Sequence, residues 1–342
     1  MKKLKLGLIG LGRAGYGMHI PELEGKEDKF EIYAVCDVEA DRRENMAEKF
    51  GCKTYERVED IVEDPEVDVI VVATRSCDHF RHAKTALDAG KLVFLEKPMC
   101  TTYEDAKKLM EIAEEYGERR VFVRHNRRFE AKFMQLNKLI ESGILGDVYY
   151  IRRSVSSYDR RCDWQTLMQY GGGQLLNWGP HLVDQALQFC GGDYKRMMSI
   201  TRQIAASGDC EDYVSATFEG VNGRQVVIEI SGGTAMQVPE YIVYGTRGTL
   251  YDNGETFTLN CVPGDYVFPP VKSSPHTPAG AMFHPTPEVP FEKQELAWET
   301  NRLDQTWDYL YDAVVNGIDY PIKTSEALKV METLTAIKMQ NQ

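Results

Sequence analysis

Residues 4–15, LKLGLIGLGRAG, decide how the chain begins. The run 4–9 has the length and apolar character of a buried strand, and it leads straight into Gly10-Leu11-Gly12-Arg13-Ala14-Gly15. A G-x-G-x-x-G turn says little alone, because glycine-rich turns are common. Its order in the chain gives it weight: strand, glycine turn, an expected helix, then a second strand, FEIYAVCD, ending in Asp37, 22 positions beyond Gly15. That is close to the spacing at which a carboxylate meets the adenosine ribose hydroxyls of a dinucleotide. The glycines let the backbone approach a pyrophosphate, whose charge the helix N-terminus favours. Gly10, Gly12, Arg13, Ala14, Gly15 and Asp37 are therefore the expected cofactor contacts. Asp37 would repel the 2′-phosphate of NADP, so NAD is expected, with NADP as the alternative. Arg42 and Arg43 read as solvated helix surface.

The alternation continues outward. RRENMAEKFG reads as a helix closed by Gly51, VDVIVVAT as a buried strand, and HFRHAKTALDAG as an amphipathic helix closed by Gly90. KLVFLEKP is another strand and TYEDAKKLMEIAEEYG another helix. Strands alternating with helices imply a parallel, doubly wound sheet. Ligands of such sheets bind beyond the strand carboxyl ends, where Asp37, Thr74 and Lys97 should lie, with His79 and Glu96 counted among the cofactor-binding residues. Pro98 restricts Lys97 to extended geometry, and a lysine held there can hydrogen-bond a substrate oxygen and favour its alkoxide.

The chain of 342 residues is long enough for two domains, each with its own core. Its 40 basic and 52 acidic side chains give a formal charge of −12, which repels a polyanion and speaks against nucleic acid as a partner. The eight cysteines include no C-x-x-C pair, so a local zinc or dithiol motif is not available. They read as buried free thiols in a reducing cytoplasm. His79 and His82 form an H-x-x-H pair flanked by Phe80 and Arg81, too little for a metal site, and none is expected. The apolar run after Lys2, Lys3 and Lys5 is short, interrupted by glycine and broken by Arg13, which makes a poor secretory leader. No window has the length of a membrane span, so a soluble, cytoplasmic protein is expected.

GLIGLGRAG, VCD, HFRHAKTALDAGKLVFLEKPM, HNRRF, LIESGILGDV and GGGQLLNWGPHLVDQ follow one another in this chain. In that order they resemble the glucose–fructose oxidoreductase / inositol dehydrogenase / rhizopine-catabolism oxidoreductases, in detail over roughly residues 4–190. The resemblance implies an N-terminal Rossmann domain with a doubly wound parallel sheet. After it should come a C-terminal α/β domain with a large, mostly antiparallel open sheet. The corresponding division is 1–123 for NAD(P) binding and 124–342 for substrate binding and oligomerisation. It also implies hydride exchange between NAD(P) and a secondary alcohol of a sugar, inositol or related polyol. Lys97 would be the catalytic lysine. Where the family normally supplies an aspartate and a histidine four residues apart, this chain has Asn177 and His181.

Residues four apart on a helix lie about 40° apart around its axis, so Asn177 and His181 should point the same way. Pro180 would either kink that helix or lie in its first turn. His181 has the intrinsic pKa to take a hydroxyl proton. Asn177 departs from the family, since an amide can orient an imidazole but cannot balance its charge. Asp184 either substitutes for that charge or is a structural carboxylate.

His125 and Arg128 are candidate substrate contacts after the last parallel strand, and Tyr158 and Trp164 offer an aromatic platform for a sugar ring. QVVIEIS and YIVYGTRGTLYD alternate as antiparallel strands do. Too few helices remain to cover both faces of their sheet, so a homo-oligomer, dimer or tetramer, is expected through the open face. Residues 262–295 are proline-rich and irregular, with His276 and His284 either bordering the pocket or solvated. Two helices, about 297–316 and 324–340, close the chain. The expected activity is an NAD-dependent dehydrogenase acting on a polyhydroxylated substrate. The rivals are a glycosidase-like enzyme working through transient oxidation and a catalytically silent dinucleotide or sugar sensor.

Overall fold

The computed structural model describes residues 2–117, 119–276, 280 and 286–341. Six parallel strands, β1 (Leu4–Ile9), β2 (Phe30–Cys36), β3 (Lys53–Tyr55), β4 (Val69–Val72), β5 (Leu92–Glu96) and β6 (Val121–Arg124), form one sheet in the order β3-β2-β1-β4-β5-β6. The order reverses between β1 and β4, and this switch point opens a crevice beyond their carboxyl ends. The central strands are apolar on both faces because helices cover both. The helix Ala40–Phe50 closes at Gly51 (φ +65°), as its sequence implies. Thr102 Oγ1 caps the helix Tyr103–Glu115 by accepting from Asp105 N at 3.1 Å.

Eight strands form the second sheet: β7 (Val148–Ser156), β8 (Tyr194–Arg202), β9 (Tyr213–Gly220), β10 (Gln225–Ser231), β11 (Tyr241–Gly245), β12 (Gly248–Asp252), β13 (Thr256–Cys261) and β14 (Glu292–Ala297). All neighbours are antiparallel except β7 and β10, in the order β14-β13-β12-β11-β7-β10-β9-β8. Alternation along β9 and β10 buries Val214, Ala216, Phe218, Val226, Ile228 and Ile230 against the helix Gly179–Phe189, while the helix Thr324–Gln340 packs on that helix and on β8. The opposite face carries Tyr150 stacked on Tyr244 (centroids 4.8 Å apart), the Arg152–Glu229 ion pair, and the exposed Met198, Ile200 and Tyr251. No described helix is long and apolar enough to cross a membrane.

Three sequence expectations change here. The helix expected at 297–316 begins only at Gln305, because Glu292–Ala297 is the edge strand β14. The helical segment Gln305–Asn316 packs against the first sheet: Trp307, fully buried, meets Phe30 and Phe94, at centroid distances of 5.5 and 4.9 Å. Its position in the chain suggested the second domain, but its apolar face finds its complement on the first. Finally, only five cysteines are buried; Cys52 is half-buried, and Cys77 and Cys162 are exposed.

Candidate active site

A cleft of about 780 Å³ opens at the carboxyl ends of the first sheet, within the range of cofactor pockets. Asp37 after β2 and Lys97 after β5 both line it. Three strand spacings separate their strands, about 14 Å, so the cleft is long enough for an extended ligand.

The three glycines of the opening turn do different things. Gly10 has φ +93°, and a Cβ there would lie 2.7 Å from Ala73 O. Gly15 packs against the turn itself: a Cβ would lie 1.9 Å from Gly10 O. It is buried and does not line the cleft, so its role is to close the turn rather than to touch a cofactor. Gly12 lines the cleft, and a Cβ there would meet nothing within 4 Å. That is the open approach a pyrophosphate requires. Arg13 and Ala14 line the cleft beside it. The helix that follows starts with a π-type turn, His19 N donating to Ala14 O at 3.0 Å.

Asp37 is oriented by backbone donors, Leu11 N at 2.7 Å to Oδ2 and Glu39 N at 3.0 Å to Oδ1. Arg43 is not merely solvated: it donates to the carbonyls of Asp37 (2.6 Å) and Val38 (3.1 Å), fixing the loop that presents the carboxylate. Arg42 and Arg57 line the cleft nearby. His79 Nδ1 lies 2.6 Å from Pro98 O and Nε2 3.1 Å from Thr74 O, while His82 Nδ1 lies 3.0 Å from Thr74 Oγ1. The H-x-x-H pair thus braces two cleft loops.

Lys97 follows Glu96, whose Oε2 accepts from Lys97 N at 3.1 Å. Burial pushes the Glu96 carboxyl up, but Arg124 (2.6 Å) and His19 (3.0 Å) outweigh it and hold it well below the usual carboxylate range. Arg124 also pairs with Glu22, which accepts from Trp307 Nε1 at 3.0 Å. Lys97 Nζ donates to Asn177 O at 3.1 Å. Burial and the neighbouring Arg13, Arg127 and Arg124 charges push its ammonium down to about 8, against the opposing charge of Glu96.

The segment carrying Asn177 and His181 is two helices, Gln174–Asn177 and Gly179–Phe189, with Pro180 in the first turn of the second. Pro180 therefore starts a helix rather than bending one. Both side chains line the cleft. Asn177 Oδ1 accepts from Gln165 Nε2 (3.3 Å), and its Nδ2 donates to Gln174 Oε1 (3.2 Å). Burial, then Lys97 and Arg127, hold the His181 imidazole well below its ordinary pKa, so it is neutral at pH 7. A neutral imidazole is the form that can accept a proton.

Four expected substrate contacts stand elsewhere. Asp184 is buried and paired with Arg128 (Nε–Oδ2 3.0 Å), and Arg128 also donates to Glu326 at 2.6 Å. Neither lines the cleft, because each is the other's counter-charge in a buried contact. Tyr158 is 60% exposed and bridges to Gly233, away from the cleft. His125 is buried behind the cleft wall. Trp164 lines the cleft as expected. His276 is exposed and does not line it, and His284 lies outside the described residues.

The sequence reading missed Asn126, Arg127, Gln165, Trp178 and Leu303, all of which line the cleft. Arg127 lies 4.2 Å over the Trp178 ring and pairs with Glu130 at 2.6 Å. Asn126, Arg127 and Trp178 carried a signal, each standing inside a quoted motif. Gln165 and Leu303 lie in irregular stretches with no period to read.

A doubly wound sheet with an open glycine turn, an oriented acid after β2, and a lysine and a histidine in one cleft define a dinucleotide-dependent oxidoreductase. Residues 4–125 match the model of an oxidoreductase family with an NAD-binding Rossmann fold, and residues 133–251 match the GFO/IDH/MocA C-terminal domain. The chain belongs to this GFO/IDH/MocA family of oxidoreductases and carries its NAD-binding domain. It is 31% identical to the scyllo-inositol 2-dehydrogenase (NADP+) of Bacillus subtilis, over 73% of this chain and 69% of that one. An uncharacterized Escherichia coli oxidoreductase, YhhX, is 25% identical over 97% of this chain and 95% of its own length. The crystal structure of an NAD-binding protein from Listeria innocua superposes with a TM-score of 0.83 at 25% identity, covering 99% of this chain and 95% of that one.

Proposed function

We propose that this protein is an NAD-dependent dehydrogenase exchanging hydride with a ring hydroxyl carbon of a sugar or inositol-type polyol. The observation that carries this reading is Lys97 and His181 lining one cleft with the glycine turn and Asp37. Bound nicotinamide supplies the two-electron acceptor. Lys97 hydrogen-bonds the reacting oxygen and stabilises charge developing there. His181, neutral, takes the hydroxyl proton as hydride leaves the same carbon; ketone reduction is the reverse. Asn177, committed to Gln165 and Gln174, holds the local geometry without titrating. Trp164 and Trp178 give the cleft aromatic surface suited to the apolar face of a ring. The name of the Bacillus relative supports an inositol-type substrate.

On this reading residues 1–123 bind cofactor and 124–342 bind substrate and a second copy of the chain, which covers the aromatic open face of the large sheet. Eight unpaired cysteines support a cytoplasmic setting. The test is absorbance at the reduced-nicotinamide band after mixing protein and NAD+ with inositols, free sugars and glycosides. Reduction with one compound class identifies the substrate type, and His181→Ala should slow it by about 10²-fold or more. Glycoside cleavage without net reduction would replace this reading with the transient-oxidation one. Dinucleotide binding without turnover would make the protein a sensor, with Asn177 as the cause.

A further inference from the structure

The helix Gly179–Phe189 presents His181, Asp184 and Gln185 on one face. Asp184 reaches Arg128, and Gln185 donates to Arg127 O at 2.9 Å, so this face lies on the turn that starts at His125. His181 is one helical turn nearer the start of that helix. From the other side, β5 and β6 pair Glu96 with Arg124, so Lys97 and His125 leave adjacent strand ends, about 4.8 Å apart by strand spacing. Lys97 in turn bonds Asn177 O, just before His181. Lys97, His125 and His181 therefore share one corner of the molecule.

Both histidines are more than nine-tenths buried, and the Nδ1 of each is enclosed with no hydrogen-bond partner among the described residues, the other histidine included. An unpaired buried nitrogen is costly, by about 1–3 kcal/mol. The side chain at 177 relieves neither, since both ends of its amide are engaged by glutamines. His181 thus lacks the carboxylate that the family pattern would supply, and its ring needs another partner to fix its tautomer.

We propose that His125 is the positioning partner of His181: His181 Nδ1–H donates to one buried water, which in turn donates to His125 Nδ1. This leaves His181 Nε2 as the lone-pair atom at the cleft. It rests on the dehydrogenase reading for its catalytic consequence only. When the substrate O–H breaks, the proton forms N–H at His181 Nε2 and the electron pair of the C–H bond leaves as hydride to nicotinamide. His125 keeps its own proton on Nε2 and stays neutral. The charged groups around it are Asp184 and Glu96, which favour its protonation, and Arg128 and Lys97, which oppose it; burial adds to the opposition. Around His181 stand Lys97, Arg127 and His125, with Glu96 opposing them.

The experiment is nitrogen NMR of the imidazole rings in the full-length protein, with kinetics alongside. In the unsubstituted protein His181 should carry its proton on Nδ1, with Nε2 bare. His125→Phe should mix or reverse that tautomer; His125→Asn, whose amide lies where Nδ1 was, should restore it. With an active alcohol, kcat should fall on the order of 10²-fold in His125→Phe, KM for NAD should hold, and the acid limb of the pH profile should move. His125→Asn should recover most of the rate. A proton on His181 Nε2 in the unsubstituted protein overturns the proposal, whether or not the variants fold. So does a His125→Phe protein with unchanged tautomer and pH profile. The expected tautomers in a protein inert to every alcohol would uphold the pair and sink the dehydrogenase reading instead.

Discussion

Lys97 lies against a cleft wall with three arginines near enough to depress its pKa and Glu96 as the opposing charge. The unfolded chain holds the lysine proton to about 10.4, whereas the folded protein releases it at about 8. Between those values the unfolded state binds more protons, so the stability of the cofactor-free protein rises with pH; below about 8 the full penalty stands. Lys97→Met removes that penalty. It should stabilise the cofactor-free protein by about 1–3 kcal/mol at pH 7, discounted for the cleft's access to water, while abolishing turnover. The advantage should shrink as pH climbs from 8 toward 10. Denaturant unfolding of both proteins across that range checks it; a gap that ignores pH would show that the lysine is not charged at a cost. Lys97 and His181 were legible as residues because each stood inside a motif. Their perturbed chemistry was not, because it comes from Arg124, Arg127 and burial.

At the scale of elements, the glycine turn separates folding from binding. Gly12→Ala adds a methyl that meets no protein atom within 4 Å, so thermal stability should hold while it intrudes on the pyrophosphate path. NAD affinity should fall roughly tenfold or more, about 1.4 kcal/mol. Gly15→Ala drives its methyl into Gly10 O, a backbone atom that cannot step aside. That should cost about 3 kcal/mol or more of stability. Melting curves and calorimetric titration with NAD distinguish the pair, and equal stability loss in both would refute the division of roles. The motif identified this turn from sequence, but not which glycine does which job. That depends on Ala73 and on the turn's own path.

For the molecule as a whole, one core runs from the first sheet through the helices to the inner face of the second, and another is closed by Trp307. The outer face of the second sheet stays open, with Tyr150, Tyr244, Met198 and Ile200 on it. Light scattering should give a mass that is a multiple of the chain's. Tyr150→Glu combined with Tyr244→Glu should lower it toward one chain with the fold and NAD binding kept. A monomer in the unsubstituted protein at micromolar concentration would leave this face without its proposed partner.

By itself the sequence determined the parallel sheet, the nucleotide turn and the catalytic candidates, because strand period, glycine placement and short spacings are local properties of the chain. Tertiary structure alone decided partnership. Asp184 was a candidate counter-charge for His181 until packing gave it to Arg128, 56 residues away. Tyr158 belonged to an aromatic platform until a bridge to Gly233 turned its segment outward. Trp307 reached Glu22 across 285 residues and carried the final segment back to the first sheet. A charged or aromatic side chain looks the same in sequence whichever partner it finds, and that partner is chosen only when whole elements pack.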